Sequence, residues 1–159
     1  MKTILPFICF LITAPYLFSQ NTNDTTQLKK SLDKATLTIR NAFEKGDAEL
    51  IVKLHSPNIE KYFGGNNVVI GRENLKKGLQ DWFQNSKVEF IENTVESTIF
   101  NGETAIETVV FGFKTIPKNG GASVISRGRS MVVYIQDKTS PTGWITLREM
   151  VQEAPTKEK

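Results

Sequence analysis

The chain has 159 residues, with 20 Lys and Arg against 17 Asp and Glu, a single His and a single Cys. That length suits one domain with its own core, and the basic residues are spread along the chain rather than clustered, which argues against a nucleic-acid surface. One His and one Cys leave too few ligands for a zinc site, and no metal or cofactor is expected.

Met1-Lys2 is followed by an apolar run from Ile4 to Phe18, broken by Pro6 and Pro15, and then by the polar stretch Ser19-Gln20-Asn21-Thr22-Asn23-Asp24. This is the form of a secretory signal peptide over residues 1–19, cleaved near Ser19-Gln20. A membrane anchor is the rival reading, but spanning takes roughly 20 apolar residues, and this run is shorter and carries two prolines. The expectation is an exported protein, periplasmic or extracellular, with no membrane anchor after cleavage. Cys9 follows bulky Phe7 and Ile8, unlike a lipid-attachment cysteine, and it leaves with the leader. The mature chain then has no thiol for catalysis, disulfides or metal.

From Thr25 to Lys45, Leu28, Leu32, Ala35, Ile39, Ala42 and Phe43 recur at steps that place them on one helical face. Thr25 or Thr26 can cap this helix and Gly46 can end it. Asp47 offers a cap to a short second helix carrying Leu50, Ile51 and Leu54, with Pro57 as its stop. A third helix, about Arg72 to Gln84, carries Leu75, Leu79, Trp82 and Phe83 on one stripe. Four strands follow: Val88 to Phe100, Thr104 to Ile116, Ala122 to Gln136 and Trp144 to Glu153. Asn101-Gly102, Asn119-Gly120-Gly121 and Thr139-Ser140-Pro141-Thr142-Gly143 separate them, and such turns make an antiparallel meander. Helices first and sheet last read as an α+β fold. With no repeat or linker, a single domain is expected over 25–153, ending in a flexible tail at 154–159.

Several stretches, in this order and spacing, carry a resemblance: Phe43-Glu44-Lys45-Gly46-Asp47-Ala48, Leu54-His55-Ser56-Pro57-Asn58, Ile70-Gly71-Arg72-Glu73-Asn74-Leu75, Asn101-Gly102-Glu103-Thr104-Ala105, Arg127-Gly128-Arg129 and Gly143-Trp144. From Leu28 to Val151 the chain resembles the SnoaL-like and ketosteroid isomerase-like proteins of the nuclear transport factor 2-like superfamily. The resemblance implies a cone-shaped fold, with N-terminal helices packed on a curved, mainly antiparallel sheet. It also implies a cavity at the open end and a homodimer formed through the sheet. Ketosteroid isomerases place an aspartate general base where this chain has Asn58, and an amide takes no proton at neutral pH, so that mechanism does not carry over. The later acidic position of those enzymes is also unmatched, with Ser130 and Met131 nearby.

Strand alternation singles out the unusual polar groups. Glu107 shares a face with Ala105, Val109, Phe111 and Phe113, and Glu149 with Ile145, Leu147 and Val151. A carboxylate among apolar neighbours is desolvated unless paired. Arg127 and Arg129 alternate on the strand between, in company with Ile125, Met131 and Val133. One reading gathers Glu107, Glu149 and Arg129 in a cavity wall; the other makes them structural or dimer-interface ion pairs. His55 reads as a helix-end packing residue or as an acid-base group. Asn58, Tyr62, Trp82, Phe111, Arg129 and Tyr134 are candidate ligand contacts, although aromatic residues at these spacings also suit a core. Gly64-Gly65 and Gly120-Gly121 lack the spacing of a phosphate loop.

Three functions follow. The first is an exported protein that binds a small apolar molecule, as a homodimer. The second is an enzyme of the cyclase, isomerase or hydratase type, with Glu107 or Glu149 as general base and His55 or Tyr62 assisting. The third is a dimerisation module with a filled cone.

Overall fold

The apolar stripe of the first helix, and the glycine after it, decide how the chain begins. In the computed structural model, which describes residues 22–154, α1 spans Thr22–Lys45 and buries Leu32, Ala35 and Ala42. Gly46 takes a left-handed φ of 69° and closes the helix: the Gly46 N–H donates to Phe43 O at 3.1 Å and the Asp47 N–H to Ala42 O at 2.9 Å. Asp47 Oδ1 then accepts the Leu50 N–H at 2.9 Å and starts α2, Ala48–Lys53. The expected leader over 1–19 lies outside the described residues, as does the expected tail apart from Ala154. Among the described residues no helix is long and apolar enough to cross a membrane.

α2 stops at Lys53, ahead of Pro57. That proline lies inside β1, His55–Phe63, a strand whose mixed polar and apolar sequence gives no clean alternation. β1 runs parallel to the last strand, and their ladder is irregular between His55 and Glu60, where a residue without an N–H is tolerated. β2, Val68–Ile70, pairs antiparallel with β1, so the sheet has six strands where four were expected. α3, Arg72–Asn85, turns Leu75, Leu79 and Phe83 into the core.

β3 (Ser86–Asn101), β4 (Thr104–Pro117), β5 (Val124–Gln136) and β6 (Trp144–Glu153) form the expected antiparallel meander. The sheet order is β2-β1-β6-β5-β4-β3, with only β1 and β6 parallel. The α+β class stands. Bulges set the curvature: the β3 register shifts between Phe90 and Glu92 and again between Val95 and Ser97. Between β5 and β6 the pairing passes from Val133↔Arg148 to Tyr134↔Thr146, leaving Leu147 as an extra residue. This bulge changes the phase of β6. Glu149 therefore shares the inward face with Val151 and, across the bulge, with Thr146, and the expected company of Ile145 and Leu147 is corrected.

Two apolar clusters hold the helices in the curve of the sheet. One joins α2 and α3 to β1 and β3 through Ile51, Ile59, Leu79 and Val88; the other joins α1 to β4, β5 and β6 through Leu32, Ala35, Ala105 and Trp144. Trp144 Nε1–H donates to Ser31 Oγ at 2.9 Å, so its buried indole keeps a partner.

Gly128 marks the tightest approach on β5. A Cβ there would lie 2.6 Å from Phe111 Cζ and 3.1 Å from Gln152 O. Gly128→Ala is expected to destabilise the fold by about 1–3 kcal/mol through overpacking, read as a lowered denaturant midpoint at unchanged slope.

Candidate functional site

A cavity of about 470 Å³ lies between the helices and the concave face of the sheet. α1 contributes Ile39, Arg40 and Phe43, and α3 contributes Leu75, Leu79 and Trp82. Its apolar part is mostly aromatic. The Trp82 and Phe113 ring centres are 5.5 Å apart, Phe43 and Trp82 6.2 Å, and Phe90 and Phe113 6.2 Å, all edge to face. Phe111 stacks on Phe113 at 6.0 Å.

Register carries the polar groups in one rung across five strands. Thr98 is opposite Glu107, Glu107 opposite Val132, Val132 opposite Glu149, and Glu149 opposite Lys61. The two glutamates therefore point the same way, separated by two strand spacings, about 9–10 Å along the sheet. Each meets a different partner. Lys61 Nζ lies 2.8 Å from Glu149 Oε2, with the Lys61 side chain buried. Thr98 Oγ1–H donates to Glu107 Oε1 at 3.0 Å, and Lys29 Nζ approaches the same oxygen at 3.8 Å. Glu107 Oε2 has no partner and is the one such buried side-chain oxygen or nitrogen among the described residues.

His55 continues the chain beyond Lys61. Its Nδ1 is 2.7 Å from Ile51 O, and a carbonyl only accepts, so this nitrogen carries the proton. Nε2 is then left to accept from Lys61 Nζ at 3.3 Å. Arg72 Nε donates to the His55 carbonyl at 2.9 Å and fixes the turn into β1. Burial, and then the charge of Lys61, pull the His55 pKa well below the usual imidazole value, so it stands neutral beside an ammonium.

Burial pushes the Tyr134 hydroxyl well above its ordinary value, reinforced by Glu107 and Glu149. Burial likewise raises the Glu107 carboxyl, against the lowering effects of the Thr98 hydrogen bond and the Lys29 charge. The site thus holds a neutral imidazole, a buried ion pair, a protonated phenol and a carboxyl group with one unengaged oxygen. That set can orient a polar group and exchange a proton with it.

Of the residues expected from sequence, the cavity gathers His55, Glu107, Glu149, Trp82, Phe111 and Tyr134. It leaves out three. Arg129 lies on the outer face and forms two bonds to Glu96, at 2.8 and 2.9 Å, so the expected cluster of Glu107, Glu149 and Arg129 does not form. The alternation of β5 that turns Ser130, Val132 and Tyr134 inward is what turns Arg129 out. Tyr62 is 37% exposed and donates to Glu60 at 2.9 Å. Asn58 is exposed, and its carbonyl accepts from Arg148 at 2.8 Å.

Lys61 and Arg40 are the charged cavity residues that the sequence did not single out. Ile59 and Lys61 are both buried on β1, an alternation too short to see in a strand that begins His55-Ser56-Pro57. Arg40 was more visible, since Thr36, Ile39, Arg40 and Phe43 share the spacing of one helical face. Among the described residues no group of three or more His, Cys, Asp or Glu side chains stands ready to hold a metal ion.

Solved structures share this architecture. A ketosteroid isomerase-like protein from Erwinia carotovora atroseptica is 12% identical over 80% of this chain and 96% of its own, with a TM-score of 0.66. A nuclear transport factor 2-like superfamily protein from Salmonella enterica serovar Typhimurium is 13% identical over 84% and 96%, with a TM-score of 0.67. A protein from Novosphingobium aromaticivorans, provisionally named a scytalone dehydratase, is 12% identical over 87% and 92%, with a TM-score of 0.72. No family model and no curated protein matches the chain. At such identities the likeness is one of architecture: the chain has the nuclear transport factor 2-like cone fold.

The depressed His55 pKa has a signed consequence. A neutral buried imidazole contributes stability above the unfolded pKa of about 6.5, and this is lost as pH falls below it, by up to about 1.4 kcal/mol per pH unit. Glu107, with its raised pKa, acts in the opposite sense: its contribution is present below the unfolded carboxyl pKa and is lost as pH rises through the folded one. Denaturant midpoints measured across mildly acidic pH are expected to fall less steeply in His55→Gln than in the parent protein.

Proposed function

We propose that this is an exported protein that binds a small, largely apolar molecule in the cone cavity, as a homodimer. The observation that carries the reading is the cavity itself. Its volume of about 470 Å³ lies within the range of ligand pockets, and its wall is aromatic with a few convergent polar groups. A cone that served only for assembly would gain stability by filling that space, which disfavours the dimerisation-module reading. Export rests on the leader-like run over 1–19.

The homodimer draws support from the outer face of the sheet. Ile99, Met131 and Met150 stand there 61%, 52% and 62% exposed, flanked by the ion pairs Arg129–Glu96 and Arg148–Glu60. An apolar centre with a charged rim is the usual anatomy of a protein interface.

A second reading, favoured by Glu107, is acid-base catalysis on the bound molecule. Its unengaged Oε2 and raised pKa suit a proton-transfer group, whereas Glu149 is tied to Lys61. Tyr134 would be the phenol that assists, since Tyr62 lies outside the cavity.

Native mass spectrometry of the protein purified through its own export route, followed by denaturing extraction, tests the first reading. The expected result is a dimer with a bound small molecule and a mass lacking the leader; an empty protein that takes up no apolar dye would sink it. Gly78 lies at the cavity with open space around its Cβ position, so Gly78→Trp is expected to obstruct the cavity, weakening dye binding at least tenfold while the protein stays folded. Met131→Glu is expected to shift the dimer toward monomer in sedimentation.

A further inference from the structure

Two charged groups that line the cavity keep unused hydrogen-bonding capacity, the Arg40 guanidinium and Oε2 of Glu107. The described arginines are Arg40, Arg72, Arg127, Arg129 and Arg148. Arg72 is held by the His55 carbonyl, Arg127 by Glu92, Arg129 by Glu96, and Arg148 by Glu60 and the Asn58 carbonyl. Arg40 alone among them makes no hydrogen bond or close ion pair, although it lines the cavity. Arg40, Glu107 and Tyr134 line the same cavity, and the Arg40 charge acts on the other two. Glu107 supplies the second, independent observation, being 1% exposed with Oε2 unpartnered.

A ligand that satisfies both must offer an acceptor to a guanidinium and a partner to a carboxyl oxygen. A neutral alcohol could accept from Arg40 and donate to Glu107, and a ketone could accept from Arg40, but either would leave the guanidinium without a counter-charge. An amine would meet Glu107 but be repelled by Arg40 and Lys61. A dianion such as a phosphate ester would press against the Glu107 and Glu149 carboxyls. A single carboxylate fits, with one oxygen for Arg40 and the other sharing a proton with Glu107. The rest of the cavity sets the body of the molecule, since Phe43, Trp82, Phe90, Phe111 and Phe113 offer faces and edges to a ring.

We infer that the cavity takes an apolar, ring-bearing monocarboxylic acid, its carboxylate held by the Arg40 guanidinium and the unpartnered Oε2 of Glu107. The inference rests on the reading of the cavity as a small-molecule site and names the class of molecule. It brings a proton with it. The groups around Glu107 are Lys29, Asp33 and Arg40 on α1, Thr98 on β3 and Tyr134 on β5, with Lys61 and Glu149 further along the rung. Burial already raises the Glu107 carboxyl, and a second carboxylate set against it raises it further. Binding therefore takes up a proton from solvent, and affinity falls as pH rises past the point where Glu107 can hold it.

Titration calorimetry with naphthylacetate and its neutral isostere naphthylacetamide tests this. The acid is expected to bind about tenfold or more tighter than the amide, as a charge-assisted pair should give. Arg40→Met should close most of that gap by weakening the acid far more than the amide. Glu107→Gln, which donates an N–H without titrating, should keep the gap while abolishing proton uptake, read as the dependence of the heat on buffer ionisation. An amide that binds as tightly as the acid overturns the inference and leaves the apolar-pocket reading standing. So does an Arg40→Met protein, folded by its melting curve, that weakens both probes alike. Should that variant not fold, the comparison of the two probes on the parent protein decides alone. If neither probe binds and no apolar dye is taken up, both readings fall together.

Discussion

Strand register is the constraint on which the rest of this protein depends. The rung Thr98, Glu107, Val132, Glu149 and Lys61 crosses five strands, and a slip of one residue on β4, β6 or β1 would send a charged side chain to the outer face. The bulge at Leu147 is part of that register. Without it, β6 would keep the phase set by Trp144 and Thr146, and Glu149 would leave Lys61 buried without its counter-ion. The parallel addition of β1 beside β6 completes the arrangement, because only there does Lys61 meet Glu149 on one side and His55 on the other.

A buried ion pair of this kind is weak evidence of stability, since desolvation offsets most of the attraction. Its value here is geometric. Burial and the Lys61 charge leave His55 neutral, the Ile51 carbonyl fixes which nitrogen bears its proton, and the Arg72 bond to the His55 carbonyl holds the backbone. The apolar clusters on either side supply the burial that drives folding, and both contribute residues to the cavity wall.

The cone fold is shared by proteins with unrelated roles, so function has to be read from side chains rather than from architecture. Asn58 illustrates this. At the position that resembles the aspartate base of ketosteroid isomerases, this chain has an amide that lies exposed outside the cavity, engaged only through its backbone with Ser56 and Arg148. The charged groups that line the cavity stand instead on the strands, in Lys61, Glu107 and Glu149, and on helix α1, in Arg40.

The sequence by itself determined the three helices, the four-strand meander and which residues of β4 share a face. Their signals are local: apolar steps of three and four, Gly46 and Asp47 at a helix junction, Asn-Gly turns, and the period-two set of Ala105, Glu107 and Val109. It also marked Glu107, Glu149, His55, Trp82, Phe111 and Tyr134 as residues of interest. Tertiary structure alone decided which polar groups meet. β1 became a strand because β6 offered it a parallel edge, not because His55–Phe63 alternates. The alternation of β5 turns Arg129 outward, and it meets Glu96 at a β3 bulge between Val95 and Ser97 that has no sequence signature of its own. Lys61 and Arg40 enter the cavity through pairing and packing between elements far apart in the chain, and periodicity within one element carries no information about what lies across from it.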